Sequence, residues 1–436
     1  MARKLQPDEW LFAVTVALAL FGVIMVYSAS AVVAAVGEAH GQYHYVARQG
    51  VWTLIGLGAM LFGARLDYGW LRSEVVVYGL LVLTVVLLVA VFAFPPINGA
   101  RRWIRFAGFS AQPSELAKLT LAIFLARLLE RRAGDEGNFW RTFVPCVAVA
   151  GLLVLLVVAE PDLGTAMMLG VIAVVILFTA GVRLKHMALA AAPALIGLAG
   201  LLLFVSWRLK RLAVFLDPWA DPQGAGYQII QSLLAVGSGG VNGLGFTEGR
   251  QKLFFLPFAH SDFIFAVVSE ELGLLGGLGV VALFGLFLWR GMRAALNAPD
   301  RFGMLLATGI VAGIVAQALF NMSVVLALVP TKGIPLPFIS YGGSSLVPTL
   351  FAVGVLLNIS QHAGLGDKGA WRGWGAETRG RGDAGAQSRT KGAAASPKRP
   401  VSTGATAAAQ PSRPHASAPH AATPRRAFAA ALRRAG

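Results

Sequence analysis

Residues 251–277 read QKLFFLPFAHSDFIFAVVSEELGLLGG. From residue 263 an apolar run continues to about residue 289, long enough to cross a bilayer as a helix. A carboxylate, Asp262, stands just ahead of that run, with His260, Lys252 and Arg250 close behind it. Two more carboxylates, Glu270 and Glu271, lie inside it. Ionisable groups at or within a membrane are costly, and by default they mark a functional site.

The same apolar texture extends over most of the chain. Of its 436 residues, 56% are hydrophobic and only 13% charged, and runs of spanning length recur. This predicts an all-α polytopic membrane protein with ten transmembrane helices, at 10–33, 46–65, 74–94, 114–131, 142–159, 163–182, 187–206, 263–289, 303–329 and 344–361. The short alternating segments of an outer-membrane barrel are missing from the sequence. The first run exceeds a signal-peptide core and no small-residue cleavage site follows, so it reads as a retained helix. Cys146 is the single cysteine, which excludes an internal disulfide and a cysteine-rich metal site. A net charge of +16 would suggest nucleic acid in a soluble protein. Here the basic residues lie between spans and in a tail, so orientation and lipid headgroups account for them and no nucleic-acid partner is expected.

Arg3, Lys4, Arg65, Arg72, Arg131, Arg132, Arg141, Arg183, Lys185, Arg290, Arg293 and Arg301 fall on one side if both termini are cytoplasmic. The opposite side then carries two basic segments. One is PPINGARRWIRFAGFSAQP, 95–113; the other is the long connection 207–262 between the seventh and eighth spans. A loop of that length is usually functional. Its centre, VGSGGVNGLGFTEGR (236–250), offers backbone N–H groups and, with Arg208, Lys210, Arg211, Arg250 and Lys252, an anion-binding surface. A flexible loop with solvated charges is the competing reading.

Other positions stand out at the same external level. In QPSELAKL (112–119), Pro113 and Ser114 start a helix, and Glu115 and Lys118 share a face three residues apart. That pair either neutralises itself in lipid or faces a polar cavity. Arg48 is placed to snorkel or to bind phosphate. Asp162, after Glu160 and Pro161, is placed to cap the next helix. In TKGIPLPFISYGGSS (331–345) the prolines and glycines forbid a continuous helix, which predicts a structured re-entrant or interfacial loop with Lys332 at its mouth. No histidine–carboxylate spacing suggests a metal site. Beyond residue 362 the composition turns to Ala, Gly, Pro, Ser, Thr and Arg, predicting a membrane core over 1–362 and a disordered basic cytoplasmic tail over 363–436.

Four runs, GARRWIRFAGFSAQPSELAKL, FLDPWADPQGAGYQIIQSLLAVGSGGVNGLGF, QKLFFLPFAHSDFIFAVVSEELGLLGG and KGIPLPFISYGGSSL, occur in that order. Together they resemble the motifs of the SEDS family (shape, elongation, division and sporulation), over about 10–361. The wording is closer to the division branch than to the elongation branch. The resemblance implies ten membrane helices and a peptidoglycan glycosyltransferase of the bacterial cytoplasmic membrane, placed at the septum. It gives Asp262 the role of the family's catalytic aspartate and puts Glu115 and Lys118 at the same cavity. It also matches Arg101, Arg102 and Trp103 to the family's basic-aromatic loop. Two positions depart from the pattern: Phe258 stands where many relatives carry Glu, and Ser261 replaces Thr.

The residues suit that chemistry. A polymerase of lipid-linked sugars needs a base at the acceptor hydroxyl, cations where pyrophosphate charge develops, and a groove for polyprenyl chains. Asp262 is the expected base, with Glu115, Lys118 and His260 in support. Arg48, Arg101, Arg102, Arg250, Lys252 and Lys332 are the expected phosphate ligands, and Trp103, Ser340, Gly342 and Gly343 the expected loop and groove residues. A divalent cation such as Mg2+ could share the pyrophosphate charge. The expected partners are lipid II, a class B penicillin-binding transpeptidase and other division proteins. A lipid II flippase or other transporter, a scaffold that recruits the transpeptidase, and an elongation-type polymerase are the competing readings.

Overall fold

The computed structural model describes residues 6–362 apart from 38–40, 42, 97–98, 107–108 and 204–205. All of them belong to one compact unit, Met1–Trp371. The expected tail, 363–436, lies outside the described residues.

The described chain is helical: α1 Glu9–Gly37, α2 His44–Arg65, α3 Glu74–Ala90, α4 Pro113–Arg131, α5 Val144–Ala159, α6 Leu163–Thr179, α7 Leu184–Leu203, α8 Ser206–Leu216, α9 Tyr227–Ser238, α10 Ile264–Leu296, α11 Arg301–Val325 and α12 Gly343–Gln361. Each predicted span falls on one of them. Six stretches are long and apolar enough to cross a membrane: most of α1, α3 with the turn after it, α5 with the turn before it, α10, α11 and α12. Their starts follow local chemistry. Pro113 occupies the first turn of α4, where its missing N–H costs nothing. Asp162 caps α6 and Asp300 caps α11, accepting from the Gly303 N–H at 2.7 Å.

Two features of the connections were not anticipated. The 95–113 segment contains an antiparallel hairpin, β1 Ile104–Phe106 and β2 Phe109–Ala111, with Arg105 opposite Ser110. The long 207–262 connection contains α8 and α9.

The bundle is organised around α11, which is buried along most of its length and contacts α4, α6, α10 and α12. Lipid tails are as apolar as leucine, so helices associate through close packing. Gly354 of α12 shows this: a Cβ there would run into the backbone of Met60 on α2. By contrast, α7 keeps Leu184, Leu189, Leu195, Ile196 and Leu203 exposed. Asp8 joins Arg290 at 2.6 Å and Tyr68 joins Asp300 at 2.8 Å. At one end of the bundle, these contacts tie the start of α1 to the last turns of α10, and the turn after α2 to the start of α11.

At the opposite end, α10 is two helices. Gly273 breaks it, with φ 66° and ψ −162°, and a Cβ there would strike the backbone of Val241 and Gly243. The broken ladder is repaired by the preceding loop. Leu244 and Gly245 donate to the carbonyls of Glu270 and Glu271 at 3.0 Å, and the Leu274 N–H donates to Gly240 O at 2.9 Å.

Candidate active site

A cavity of about 570 Å³ opens at that end of the bundle. Four segments bring side chains to it. The loop before the hairpin supplies Arg102 and Trp103, and the start of α6 supplies its cap Asp162 and Thr165. The 258–263 segment supplies Phe258, Ser261 and Asp262, and the 331–345 loop supplies Lys332, Gly333, Tyr341, Gly342 and Ser345. Glu115 and Gln317 close its inner wall, and Arg211 of α8 reaches it from the long connection.

Asp262 is half-buried on this wall. Burial is the largest influence and pushes its carboxyl up to about 6; Asp162 adds to the rise, while Arg102 and the Ser261 hydroxyl oppose it. Its placement depends on the 331–342 loop. A Cβ on Gly333 would lie 2.6 Å from Asp262 Oδ2, so the absence of a side chain there leaves room for the carboxylate. The Ser340 hydroxyl donates to Ser261 O at 2.6 Å, the Tyr341 N–H to His260 O at 3.0 Å, and Asn321 Nδ2 to Asp262 O at 2.8 Å.

Glu115 and Lys118 form an ion pair at 2.9 Å beneath the cavity. Lys118 also donates to Gln317 Oε1 at 2.6 Å, and the Ser345 hydroxyl donates to Glu115 Oε2 at 3.0 Å. Glu115, Lys118 and Gln317 also border a narrow apolar pocket that continues between α4, α6, α11 and α12, lined by Ile172, Ile310 and Ile314.

The cations are distributed unevenly. Arg102 and Lys332 line the cavity as expected. Arg102 is fixed on the 160–162 turn, donating to Glu160 O at 3.3 Å and Pro161 O at 2.5 Å. Arg211, read from sequence only as part of a loop surface, joins them and donates to Thr331 O at 3.3 Å. Desolvation and, second, the neighbouring Arg102 charge hold its guanidinium below the ordinary value. Cations this close together make the wall receptive to an anion.

Other expected site residues lie elsewhere. Lys252 is corrected: its side chain is 3% exposed and bound to Glu271 at 2.5 Å and to the Ser28 hydroxyl at 2.8 Å, so it has no reach to a substrate. The glycine-rich loop is corrected too. It does bind anions, but they are the chain's own: Arg250 and Gln251 donate backbone N–H groups to Glu270 Oε1 at 2.7 and 3.1 Å, and Thr247 donates to Glu271 Oε2 at 3.2 Å. Arg250, Arg48 and Arg101 do not line the cavity; Arg101 donates to Phe92 O at 2.7 Å. The His260 ring packs with Tyr45 and Tyr341, at centroid distances of 5.0 and 5.7 Å. Gly343 starts α12 against Trp52.

Asp162 does more than cap α6. It accepts from the Thr165 hydroxyl at 2.8 Å and from Gln112 Nε2 at 3.0 Å, and it faces the cavity. Gln317 and Asn321 were missed, although polar residues one turn apart in an apolar span are a legible signal. Among the described residues, no cluster of three or more His, Cys, Asp or Glu side chains could hold a metal ion.

A family model described as "Cell cycle protein", covering FtsW, RodA and SpoVE, matches residues 8–364. A probable peptidoglycan glycosyltransferase FtsW from Geobacter metallireducens is 44% identical over 358 residues, covering 81% of this chain and 94% of that protein. The stage V sporulation protein E of Bacillus subtilis is 43% identical over 366 residues, covering 83% and 99%. A structure described as "Structural coordination of polymerization and crosslinking by a peptidoglycan synthase complex" superposes with a TM-score of 0.67 at 31% identity, covering 81% of this chain and 98% of that one. The rod shape determining protein RodA of Thermus thermophilus gives 0.61 at 27% identity, covering 82% and 98%. With residues 8–364 matched by the family model and relatives 43–44% identical over more than four-fifths of its length, the chain belongs to the FtsW, RodA and SpoVE family of cell cycle proteins.

Proposed function

We propose that this chain polymerises peptidoglycan glycan strands from lipid II at the division septum. The observation that carries the reading is Asp262 on the wall of a cavity that also presents Arg102, Arg211 and Lys332. Relatives named probable peptidoglycan glycosyltransferase FtsW are 44% identical and the stage V sporulation protein E is 43% identical, against 27% for RodA, which favours the division branch over the elongation branch. Ten helices cross the cytoplasmic membrane with both termini inside, so that the cavity faces outward. The bias of basic residues toward the inner side of the spans, Arg65, Arg72, Arg131, Arg290 and Arg293 among them, supports that orientation.

In this mechanism Asp262 accepts the proton of the acceptor sugar's 4-hydroxyl. The freed oxygen attacks C1 of the donor sugar from the face opposite the lipid pyrophosphate. The C1–O bond to the pyrophosphate breaks, the configuration inverts, and undecaprenyl pyrophosphate leaves. Arg102, Arg211 and Lys332 stabilise the charge that develops on the leaving group. A carboxyl raised to about 6 is ionised at neutral pH yet remains more basic than an ordinary aspartate. A divalent cation, for which the described residues build no cage of their own, would enter on the substrate phosphates. A class B transpeptidase crosslinks the product; the synthase complex whose structure this chain resembles supports such a partner.

The test is polymerisation of lipid II by the purified protein with its class B partner, wild type beside Asp262→Ala. Polymer from the wild type and a loss of about 10²–10⁴-fold in the variant is expected. Equal polymer from both would move the chemistry away from Asp262. Headgroup translocation without polymer would favour a transporter.

A further inference from the structure

We propose that Asn321 is a positioning residue for glycosyl transfer, holding the Asp262 segment and the 332–334 segment in register through the two N–H groups of one buried amide. It can do so only if Asp262 is the base, as proposed above.

Asn321 lies in the last two turns of α11 and is 1% exposed. Its Nδ2 donates to Asp262 O at 2.8 Å and to Ile334 O at 2.7 Å. Those carbonyls, 72 residues apart in sequence (262 to 334), belong to two segments, one carrying the carboxylate and the other Lys332 and Gly333. Because the Asp262 carboxylate rests against Gly333, a small shift of either segment changes where the base points. One helical turn earlier, Gln317 repeats the arrangement: its Nε2 donates to Pro335 O at 2.9 Å while its Oε1 accepts from Lys118. Thus α11 presents two amides in a row to the cavity loops, and Asn321 is the one that joins both of them.

The other end of the amide is equally informative. Asn321 Oδ1 is buried and has no hydrogen-bond partner among the described residues. A core selected for stability alone avoids a buried acceptor left unpaired. The pairing of this side chain is all on its donors, which meet the two segments that carry the base and Lys332.

The experiment compares wild type, Asp262→Ala, Asn321→Ala and Asn321→Ser in the same lipid II assay, full-length protein with its class B partner. Asn321→Ala should lower kcat about 10²-fold, the cost of misplacing a catalytic group by about 1 Å, with KM unchanged. Freed toward water, the Asp262 carboxyl should relax to the ordinary range, so the acidic limb of kcat/KM, which reports the free enzyme, moves from about pH 6 to lower pH. Asn321→Ser keeps one donor and should recover part of kcat. Backbone hydrogen exchange of 258–263 and of 331–336 should quicken together in Asn321→Ala. Wild-type kcat with an unmoved acidic limb in Asn321→Ala, while Asp262→Ala is inactive, overturns the role of Asn321 and leaves the polymerase reading standing. Equal activity of wild type and Asp262→Ala overturns both. If no sample polymerises, exchange decides: faster exchange in both segments supports the coupling, and unchanged rates overturn it.

Discussion

The chain buries two lysine–glutamate pairs at the same end of the bundle, and they do different things. Glu115 and Lys118 sit beneath the cavity, 3% and 13% exposed, and pass hydrogen bonds on to Ser345 and Gln317. Glu271 and Lys252 are 0% and 3% exposed and close on Ser28 and the backbone of Thr247. The first pair borders the space where a substrate would lie. The second fastens the glycine-rich loop to the broken start of α10 and to α1. Ion-pair chemistry alone does not separate a reactive charge from a structural one. What surrounds the pair does, because a charge contributes to a reaction only if its field reaches the reacting atoms.

Paired substitutions sharpen that contrast. Lys118→Met leaves Glu115 buried beside the cavity and should destabilise the fold by about 3–5 kcal/mol while lowering polymerisation. Adding Glu115→Gln should restore most of the thermal midpoint in detergent but not the activity. If activity returns with stability, the pair is structural and the contrast fails. Lys252→Met should cost a similar 3–5 kcal/mol. Here Glu271→Gln in the same chain should restore both the midpoint and the activity per folded molecule. Persistent loss of activity in that well-folded double variant would give the second pair a part in the reaction.

Glu160 supplies a third and smaller test, a buried carboxyl with no lysine. It is 0% exposed, and neither carboxylate oxygen has a partner among the described residues. Burial, reinforced by Asp162 and opposed by Arg102, pushes its pKa from 4.5 up to about 8. The folded state therefore holds the proton more tightly than the unfolded chain. Its contribution to stability is full below pH 4.5 and is lost as pH rises through about 8. Glu160→Gln should flatten that decline in thermal midpoint between pH 5 and 9, read by tryptophan fluorescence. An identical pH slope in wild type and variant would show that Glu160 finds a partner or solvent.

Much of this was legible in the residues. The apolar runs place the predicted spans on helices because spanning a bilayer requires long stretches without charge, and such stretches are visible without folding the chain. Asp262, Arg102, Trp103, Lys332 and Glu115 stood out as charge or aromatic residues beside those runs, and the cavity gathers them. The hairpin and α8 and α9 were less legible, since short amphipathic elements between spans leave a weak periodic signal. Lys252 was misread because its partners, Ser28 and Glu271, are 224 and 19 residues away in sequence. Arg211, Gln317 and Asn321 gain their meaning only from loops distant in the chain.

Local composition is enough to make this a helical membrane protein with a carboxylate poised at the edge of a span, because solvation cost is a local quantity. Which cations share the cavity with Asp262, which lysine is locked away, and what holds the carboxylate in place emerge once the helices pack. Those outcomes depend on distances between segments that share no local signal, fixed by helix packing and by hydrogen bonds that reach across the fold.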